Sequence, residues 1–283
     1  MSLDDLLAGT SRTFAAAIPL LDGELREEVT LAYLLFRIAD TFEDAAAWDT
    51  ERRADALSVF AQMLRGGRGG ALSAPPGFDD AHAALFAGAG DIFARLGQLP
   101  APHAESIRGH VQRTAEGMRE FLLAADGGRV ELTTLEELER YCYVVAGIVG
   151  EMLTDLFVFA CPALRPRRAL LDHDAAAFGE ALQLVNILKD RDDDAGEGRR
   201  FLPRGVALDA VFARARRDCD RATDYVDALA AGGASPGIVA FTRFPLRVAR
   251  ETLDALEARG AGAKIGRERV LAILEEERAA KAR

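Results

Sequence analysis

Apolar residues recur every three or four positions along almost the whole chain, with little of the strict alternation that marks strands. This period predicts an all-α protein whose helices end where glycine and proline cluster. A capping box of Thr133 or Thr134 with Glu136 or Glu137 predicts one helix start. Since no long polar linker interrupts the pattern, we expect a single domain over residues 1–283. The predicted helices span residues 3–8, 11–20, 24–45, 50–65, 80–97, 103–125, 134–160, 167–172, 174–193, 206–231, 235–258 and 266–281.

Two of these segments carry polar side chains along one narrow stripe of an apolar helix. The first stripe consists of Tyr33, Arg37, Asp40 and Asp44. The second stripe consists of Gln183, Asn186, Asp190 and Asp194. At about 100° per residue, each set lies within an arc of about 80° or less. The intervening residues are mostly leucine, isoleucine, valine, phenylalanine and alanine, so both helices should be largely buried.

Carboxylates in such apolar surroundings need either counter-charge or a water-filled cavity, because burying them unpaired costs several kcal/mol each. Mg²⁺ takes oxygen ligands, keeps several waters and commonly shares one or two carboxylates with substrate phosphates. Two facing stripes are therefore expected to hold a diphosphate through metal. Either stripe alone is more typical of a solvated helix face, but two matched stripes in apolar sequence favour a functional site.

Bulk properties narrow the class of protein. The net charge of −10 argues against non-specific nucleic-acid binding, and an acidic protein needs metal to handle an anionic ligand. The sequence contains no uninterrupted run of about 18 apolar residues, so it predicts no transmembrane helix. It also has no recognisable secretory signal, and we therefore expect a cytoplasmic protein. Three widely spaced cysteines indicate neither a disulfide framework nor a zinc site, and the four scattered histidines are interpreted as surface or core residues.

The segment 141–150 places Gly147 and Gly150 inside a long apolar helix, where each costs about 1 kcal/mol relative to alanine. Two explanations remain open, close helix packing and clearance for an apolar ligand. Glu151 and Asp155 follow as an acidic pair for which a solvated or salt-bridged role is as well supported as a catalytic one.

Residues 194–203 combine glycines with cations and resemble a flap that follows the second stripe. Lys189 and Arg191 precede this segment, and Arg199 and Arg200 lie in it. Such an arm could fold over a diphosphate and exclude water from a carbocation. The alternative is an ordinary surface loop.

Four elements in order resemble the squalene and phytoene synthase family, over about residues 10 to 275. The elements are residues 11–14 (SRTF), 33–44 (YLLFRIADTFED), 141–150 (YCYVVAGIVG), and 183–194 (QLVNILKDRDDD) with 199–203 (RRFLP). The segment 241–253 is more similar to bacterial squalene-type enzymes than to plant phytoene synthases.

The resemblance implies one isoprenoid-synthase helical bundle around a central apolar cavity. It also implies a Mg²⁺-dependent head-to-head condensation of two prenyl diphosphates through a cyclopropylcarbinyl diphosphate, as in presqualene diphosphate. Two farnesyl diphosphates would give squalene, with hydride from NADPH if that is the product. Two geranylgeranyl diphosphates would give phytoene, and dehydrosqualene is a further alternative. Membrane contact would be transient and serve release of the product, because the tail is polar and predicts no transmembrane anchor.

The resemblance assigns roles residue by residue. Metal ligands would be Asp40, Asp44, Asn186, Asp190 and Asp194. Diphosphate contacts would come from Ser11, Arg12, Arg37, Lys189 and Arg199. Groups that take part in catalysis would be Tyr33, Arg37, Tyr141, Gln183 and Asn186.

Other classes share part of this pattern. Terpene cyclases and chain-elongating prenyltransferases use the same ionisation, but they usually carry Asp-Asp-x-x-Asp, whereas position 39 here is Ala39. A non-catalytic helical partner protein of the same fold is the remaining alternative, and intact aspartates in both stripes disfavour it.

Overall fold

A computed structural model describes residues 2–10, 13–66, 72–125, 130–196 and 200–282, except the side chain of Ala195. Within these ranges the chain is helical and contains no strand, apart from an isolated bridge between Glu131 and Arg200. The predicted all-α class is confirmed. Contacts group the chain into two compact units, residues 1–128 and 129–283. The expectation of one domain stays a prediction.

The first unit is built on its third helix, which carries the first polar stripe. Its helices are α1 (Leu3–Thr10), α2 (Thr13–Ala17), α3 (Gly23–Glu43), α4 (Thr50–Gly66), α5 (Asp80–Ala87), α6 (Ala89–Leu96) and α7 (Ala101–Ala124). Helix α3 contacts α1, α4, α5, α6 and α7, and its apolar side is almost fully buried. The segment predicted as one helix over 80–97 turns at Gly88 and forms two.

The second unit is built on the long helix that carries the second stripe. Its helices are α8 (Leu135–Cys142), α9 (Ile148–Ala160), α10 (Arg168–Gly196), α11 (Leu208–Ala231), α12 (Pro236–Arg259) and α13 (Arg267–Lys281). A π-helical segment, Tyr143–Gly147, joins α8 to α9. The predicted capping box is present, since Thr134 caps α8 and exchanges hydrogen bonds with Glu137.

Helix α10 runs through the position where a break was predicted. The pattern predicted two helices, 167–172 and 174–193, whereas the structure has a 3₁₀ turn over Pro162–Arg167 followed by one continuous helix. Asp174 explains the continuity, because it is buried and accepts a hydrogen bond from Arg221 of α11 at 2.9 Å. Tertiary packing therefore holds this part of α10 helical despite its polar sequence.

Glycines let α10 approach the π-helical segment until backbone touches backbone. A Cβ on Gly150 would stand 1.9 Å from the carbonyl oxygen of Ala175, and one on Gly179 would stand 1.8 Å from that of Ala146. A Cβ on Gly147 would lie 3.1 Å from a carboxyl oxygen of Glu180. Of the two explanations left open by the sequence, the structure favours close helix packing over ligand clearance.

One half-buried arginine joins three helices of the second unit. Arg214 of α11 forms ion pairs with Glu139 of α8, with Glu180 of α10 at 2.9 Å and with Asp218 at 2.8 Å. Burial raises the pKa of Glu180 and that of Asp218, and Arg214 opposes both shifts. The guanidinium is thus the charge that allows these carboxylates to be buried together.

Among the described residues, the stretch Leu135–Ala160 has the length and composition of a membrane-crossing helix, with a mean hydropathy of 1.7. However, 61% of its most apolar window is buried inside the protein, as in the core helix of a soluble protein. The stretch is weak evidence for a membrane span.

Replacing Gly179 with alanine should lower the free energy of unfolding by about 1–3 kcal/mol, because the added methyl group forces α10 away from Ala146. The matched control is Gly109→Ala, since Gly109 is exposed on α7 with open space around its Cβ position. That variant should gain about 0.5–1 kcal/mol from helix propensity. Urea unfolding measures both, and equal gains in the two variants would contradict the close crossing.

Candidate active site

Tyr33 links α3 to the end of α1. Its hydroxyl donates a hydrogen bond to the carbonyl oxygen of Thr10 at 3.0 Å, and its ring lies 5.7 Å from that of Phe14. Thr10 is the residue immediately before Ser11 in the chain. Ser11 and Arg12, which were predicted to bind a diphosphate, lie outside the described residues.

Arg37 and Asp40 are neighbours on α3 that do not make a tight ion pair. Nη1 of Arg37 lies 3.7 Å from Oδ2 of Asp40, which is beyond hydrogen-bond distance. Asp44 caps the C-terminal end of α3 and is exposed. Although 37% of the Asp40 side chain reaches solvent, desolvation by the surrounding protein raises the pKa of this carboxyl to about 7, against the opposing effect of Arg37.

A second contact holds Arg37 from the other side. Nη2 of Arg37 lies 3.4 Å from Nε2 of His82, whose Nδ1 lies 2.6 Å from Oδ1 of Asp79. Since a guanidinium can only donate, Nε2 must accept, and the imidazole proton sits on Nδ1 facing Asp79. Sequence reasoning missed His82, because it interpreted each histidine as a surface or core residue. A usable signal was its position three residues after Asp79, a spacing that brings two side chains together at a helix start.

Helix α10 places the second stripe along its solvent-accessible side. Gln183 and Asp194 are half-buried, and Asn186 is exposed. Nζ of Lys189 donates a hydrogen bond to Oδ1 of Asn186 at 3.2 Å and lies 3.2 Å from Oδ2 of Asp190. The structure therefore brings the predicted amide, lysine and carboxylate together on one helix face.

Both stripes keep contact with solvent while their helices are buried on the apolar side. Asp190 is 46% exposed, whereas Leu184, Ile187 and Leu188 of the same helix are buried. This pattern favours the water-accessible alternative over carboxylates buried in a dry core. The expectation that the two stripes share one diphosphate stays a prediction.

Tyr141 is covered by the segment that follows α10. It is only 4% exposed, and its ring stacks on that of Phe201 with centroids 4.9 Å apart. The backbone N–H of Leu132 donates to the carbonyl oxygen of Arg200 at 3.1 Å, and the N–H of Arg200 donates to the carbonyl oxygen of Val130 at 3.3 Å. Backbone pairing and ring stacking thus anchor the predicted flap at its C-terminal end.

A cavity of about 290 Å³ lies between the end of α10 and this anchored segment. Asp194 and Arg191 line it from the helix, and Phe201 lines it from the segment. Arg204, another lining residue, is held by Glu131 at 2.9 Å. Arg199, predicted to bind a diphosphate from the flap, lies outside the described residues.

The acidic pair after the glycine-rich helix has structural partners. Glu151 accepts a hydrogen bond from the hydroxyl of Tyr143 at 2.9 Å, and Asp155 pairs with Arg168 at 2.6 Å. Of the two roles left open by the sequence, the structure favours the hydrogen-bonded and salt-bridged one. Among the described residues, no three histidine, cysteine or acidic side chains converge on one point.

The fold is that of the helical isoprenoid synthases. The solved complex structure of TcSQS with a ligand matches 96% of this chain and 84% of that chain, with a TM-score of 0.84 and 26% identity. The predicted fold class is confirmed by this likeness.

The chain belongs to the squalene/phytoene synthase family, because the sequence model of that family matches residues 7–210. It is 34% identical over 200 residues to a probable squalene synthase of Neurospora crassa, covering 70% of this chain and 40% of the relative. It is 32% identical over 205 residues to a squalene synthase of Saccharomyces cerevisiae, covering 71% of this chain and 45% of the relative. The matched region thus spans less than half the length of these curated relatives.

Replacing Asp40 with asparagine should raise the melting temperature in metal-free buffer, because the ionised carboxylate is disfavoured in the folded protein. A raised carboxyl pKa weakens the folded state as pH rises from about 4 to 7, and the loss is complete above about 7. The advantage of the variant should therefore grow over this range and then level off, as thermal melts from pH 4 to 9 would show. Asp172→Asn, which removes a surface ion pair with Arg168, is the control and should not raise the melting temperature. A pH-independent difference for Asp40→Asn would contradict the raised pKa.

Proposed function

We propose that this protein is a prenyltransferase that condenses two prenyl diphosphates head to head, with farnesyl diphosphate as the substrate. The C1–O bond of one substrate breaks, which releases diphosphate and leaves an allylic cation. The double bond of the second substrate attacks this cation, and loss of a proton closes a cyclopropane ring to give presqualene diphosphate. Loss of the second diphosphate and rearrangement would leave a second cation, to which NADPH, when bound, would supply the hydride that gives squalene.

The observation that carries this proposal is the family match over residues 7–210 with both acidic stripes retained on helices. Curated relatives that are 34% and 32% identical are named squalene synthases, which supports farnesyl diphosphate as the substrate. Charged side chains lie at the solvent-accessible side of both apolar helices, Arg37 with Asp40 on one and Lys189 with Asp190 on the other. A non-catalytic partner would have no need for this placement.

On α3, Arg37 would bind oxygens of the departing diphosphate. Its Nη1 stands 3.7 Å from Oδ2 of Asp40, which is longer than a tight ion pair. A guanidinium matches the geometry of phosphate oxygens and stays charged at any working pH. The same cation would lower the energy of the diphosphate leaving group as negative charge develops on it.

On α10, Lys189 would serve the same purpose after exchanging partners. In the structure its ammonium donates a hydrogen bond to Asn186 and forms an ion pair with Asp190, at 3.2 Å from each. A diphosphate oxygen would compete for this ammonium, which frees the two oxygen donors. On α8, Tyr141 has one ring face covered by Phe201, so only its other face could stabilise a carbocation.

The donor chemistry fits Mg²⁺, because the predicted ligands offer hard oxygen atoms with solvent access. These ligands are Asp40, Asp44, Asn186, Asp190 and Asp194. The pKa of Asp40 is raised, so its ionised form is also expected to be stabilised by a nearby divalent cation. When bound, the metal would neutralise the diphosphate and make it a better leaving group. Few protein ligands per ion are expected, since Mg²⁺ retains water and shares phosphate oxygens.

Incubation with farnesyl diphosphate, Mg²⁺ and NADPH should yield squalene, and omission of NADPH should leave presqualene diphosphate or a hydrocarbon that received no hydride. Gas chromatography with mass spectrometry, after phosphatase treatment for the diphosphates, identifies each product. Formation of phytoene from geranylgeranyl diphosphate would show that the substrate is the C20 diphosphate and not farnesyl diphosphate. A cyclic terpene, or no product from either substrate, would refute head-to-head condensation.

Asp40→Ala and Asp190→Ala should each lower kcat by about 10²–10³-fold while the helical circular dichroism spectrum stays unchanged. Asp172→Ala is the matched control, because Asp172 lies on the same helix as Asp190 and is equally exposed at 46%. This control should retain activity, since Asp172 only forms an ion pair with Arg168. Near-normal turnover in either of the first two variants would remove that carboxylate from the mechanism.

A further inference from the structure

The guanidinium of Arg37 has one close polar partner among the described residues, and that partner is His82 of α5. Nη2 lies 3.4 Å from Nε2 of the imidazole, while Nε of Arg37 is buried without a hydrogen-bond partner. On the other side, Asp40 is 3.7 Å away. Within hydrogen-bond distance the guanidinium thus contacts the imidazole of His82, whereas its ion pair with Asp40 is longer.

His82 is itself fixed from three directions. Its Nδ1 lies 2.6 Å from Oδ1 of Asp79, and its backbone N–H donates to the same oxygen at 3.1 Å. The ring of Phe78 lies 5.0 Å from the imidazole, and only 12% of the His82 side chain is exposed. The imidazole is thus held in one orientation and one tautomer, with its lone pair directed at Arg37.

Opposite charges 3.7 Å apart attract, so an untethered Arg37 would close onto Asp40 and form a tight ion pair. Such a pair would occupy both the cation proposed for the diphosphate and the carboxylate proposed for the metal. The acceptor on His82 opposes this collapse because it binds Nη2 without adding negative charge.

We propose that Asp79 and His82 are positioning residues that hold Arg37 away from Asp40 and ready to bind a diphosphate. This inference rests on the proposed function, which assigns the diphosphate to Arg37. Neither residue touches the substrate in this scheme. Both act through the orientation of the guanidinium.

The test is calorimetric binding of inorganic diphosphate with Mg²⁺ to the whole protein and to three conservative variants. In His82→Gln the side-chain amide oxygen can replace Nε2 as acceptor, so the Kd should stay within about threefold of the unmodified protein. In His82→Asn the shorter amide replaces only Nδ1 and cannot reach Arg37, so the Kd should rise about tenfold. Asp79→Asn keeps a capping side chain for α5 but loses the anionic acceptor, and it should fall between the two.

A double-mutant cycle separates positioning from a general structural role. If His82 acts through Arg37, then His82→Asn should cause no further loss of binding in an Arg37→Ala background. An equal loss in both backgrounds, or diphosphate binding by His82→Asn as tight as in the unmodified protein, would overturn the inference. Melting curves of the Gln and Asn variants verify that both fold, and Asp79→Asn carries the test if His82→Asn does not.

The two proposals fail in different ways. Absence of hydrocarbon product, together with the expected order of diphosphate affinities, would reject the condensation and leave the positioning pair standing. Normal product formation by His82→Asn would reject the positioning pair and leave the condensation standing. No diphosphate binding by the unmodified protein would overturn the positioning inference directly.

Discussion

At two glycines of the second unit, backbone approaches backbone so closely that the contact determines where the polar face of α10 stands. At Gly150 and Gly179 a single methyl group would overlap a carbonyl oxygen of the facing segment. Atoms that touch in this way leave α10 almost no freedom to slide or rotate. Asn186, Lys189 and Asp190 lie within about three turns of Gly179 on the same helix, so the glycine crossing sets their position.

The π-helical segment belongs to the same constraint. It lies over Tyr143–Gly147, between the capped start of α8 and the apolar α9, and it carries one of the glycines. Such wide turns depart from regular α-helical geometry and are common near functional sites. Here the irregular turn brings the carbonyl oxygen of Ala146 against Gly179 and leaves Tyr141 beneath Phe201.

Charge is managed differently in the two units. In the second unit, Arg214 neutralises the buried carboxylates of Glu180 and Asp218. In the first unit, Nη1 of Arg37 stands 3.7 Å from Oδ2 of Asp40, and desolvation raises the pKa of that carboxyl. The charges around Arg214 are thus paired closely, whereas Arg37 and Asp40 are paired incompletely, which is the usual cost of a functional site.

Periodicity alone predicted most of the fold, because amphipathic helices, caps and glycine breaks are local features. The start of α8 at the capping box and the apolar sides of α3 and α10 follow from such local signals. The break expected near His173 was wrong, since an ion pair between buried Asp174 and half-buried Arg221 spans elements far apart in sequence. His82 was missed for the same reason: its partner Arg37 lies 45 residues away, and spacing within one helix cannot show such a contact.

The three-helix role of Arg214 has a consequence for how natural variants are interpreted. This arginine ties α11 both to α8, which carries Tyr141, and to α10, which carries Gln183. Its loss would shift both side chains together without removing any group that meets a ligand. A saturation screen scored on product alone would therefore rank this position beside the chemical centre, and only a parallel measure of cellular abundance would reveal it as part of the scaffold.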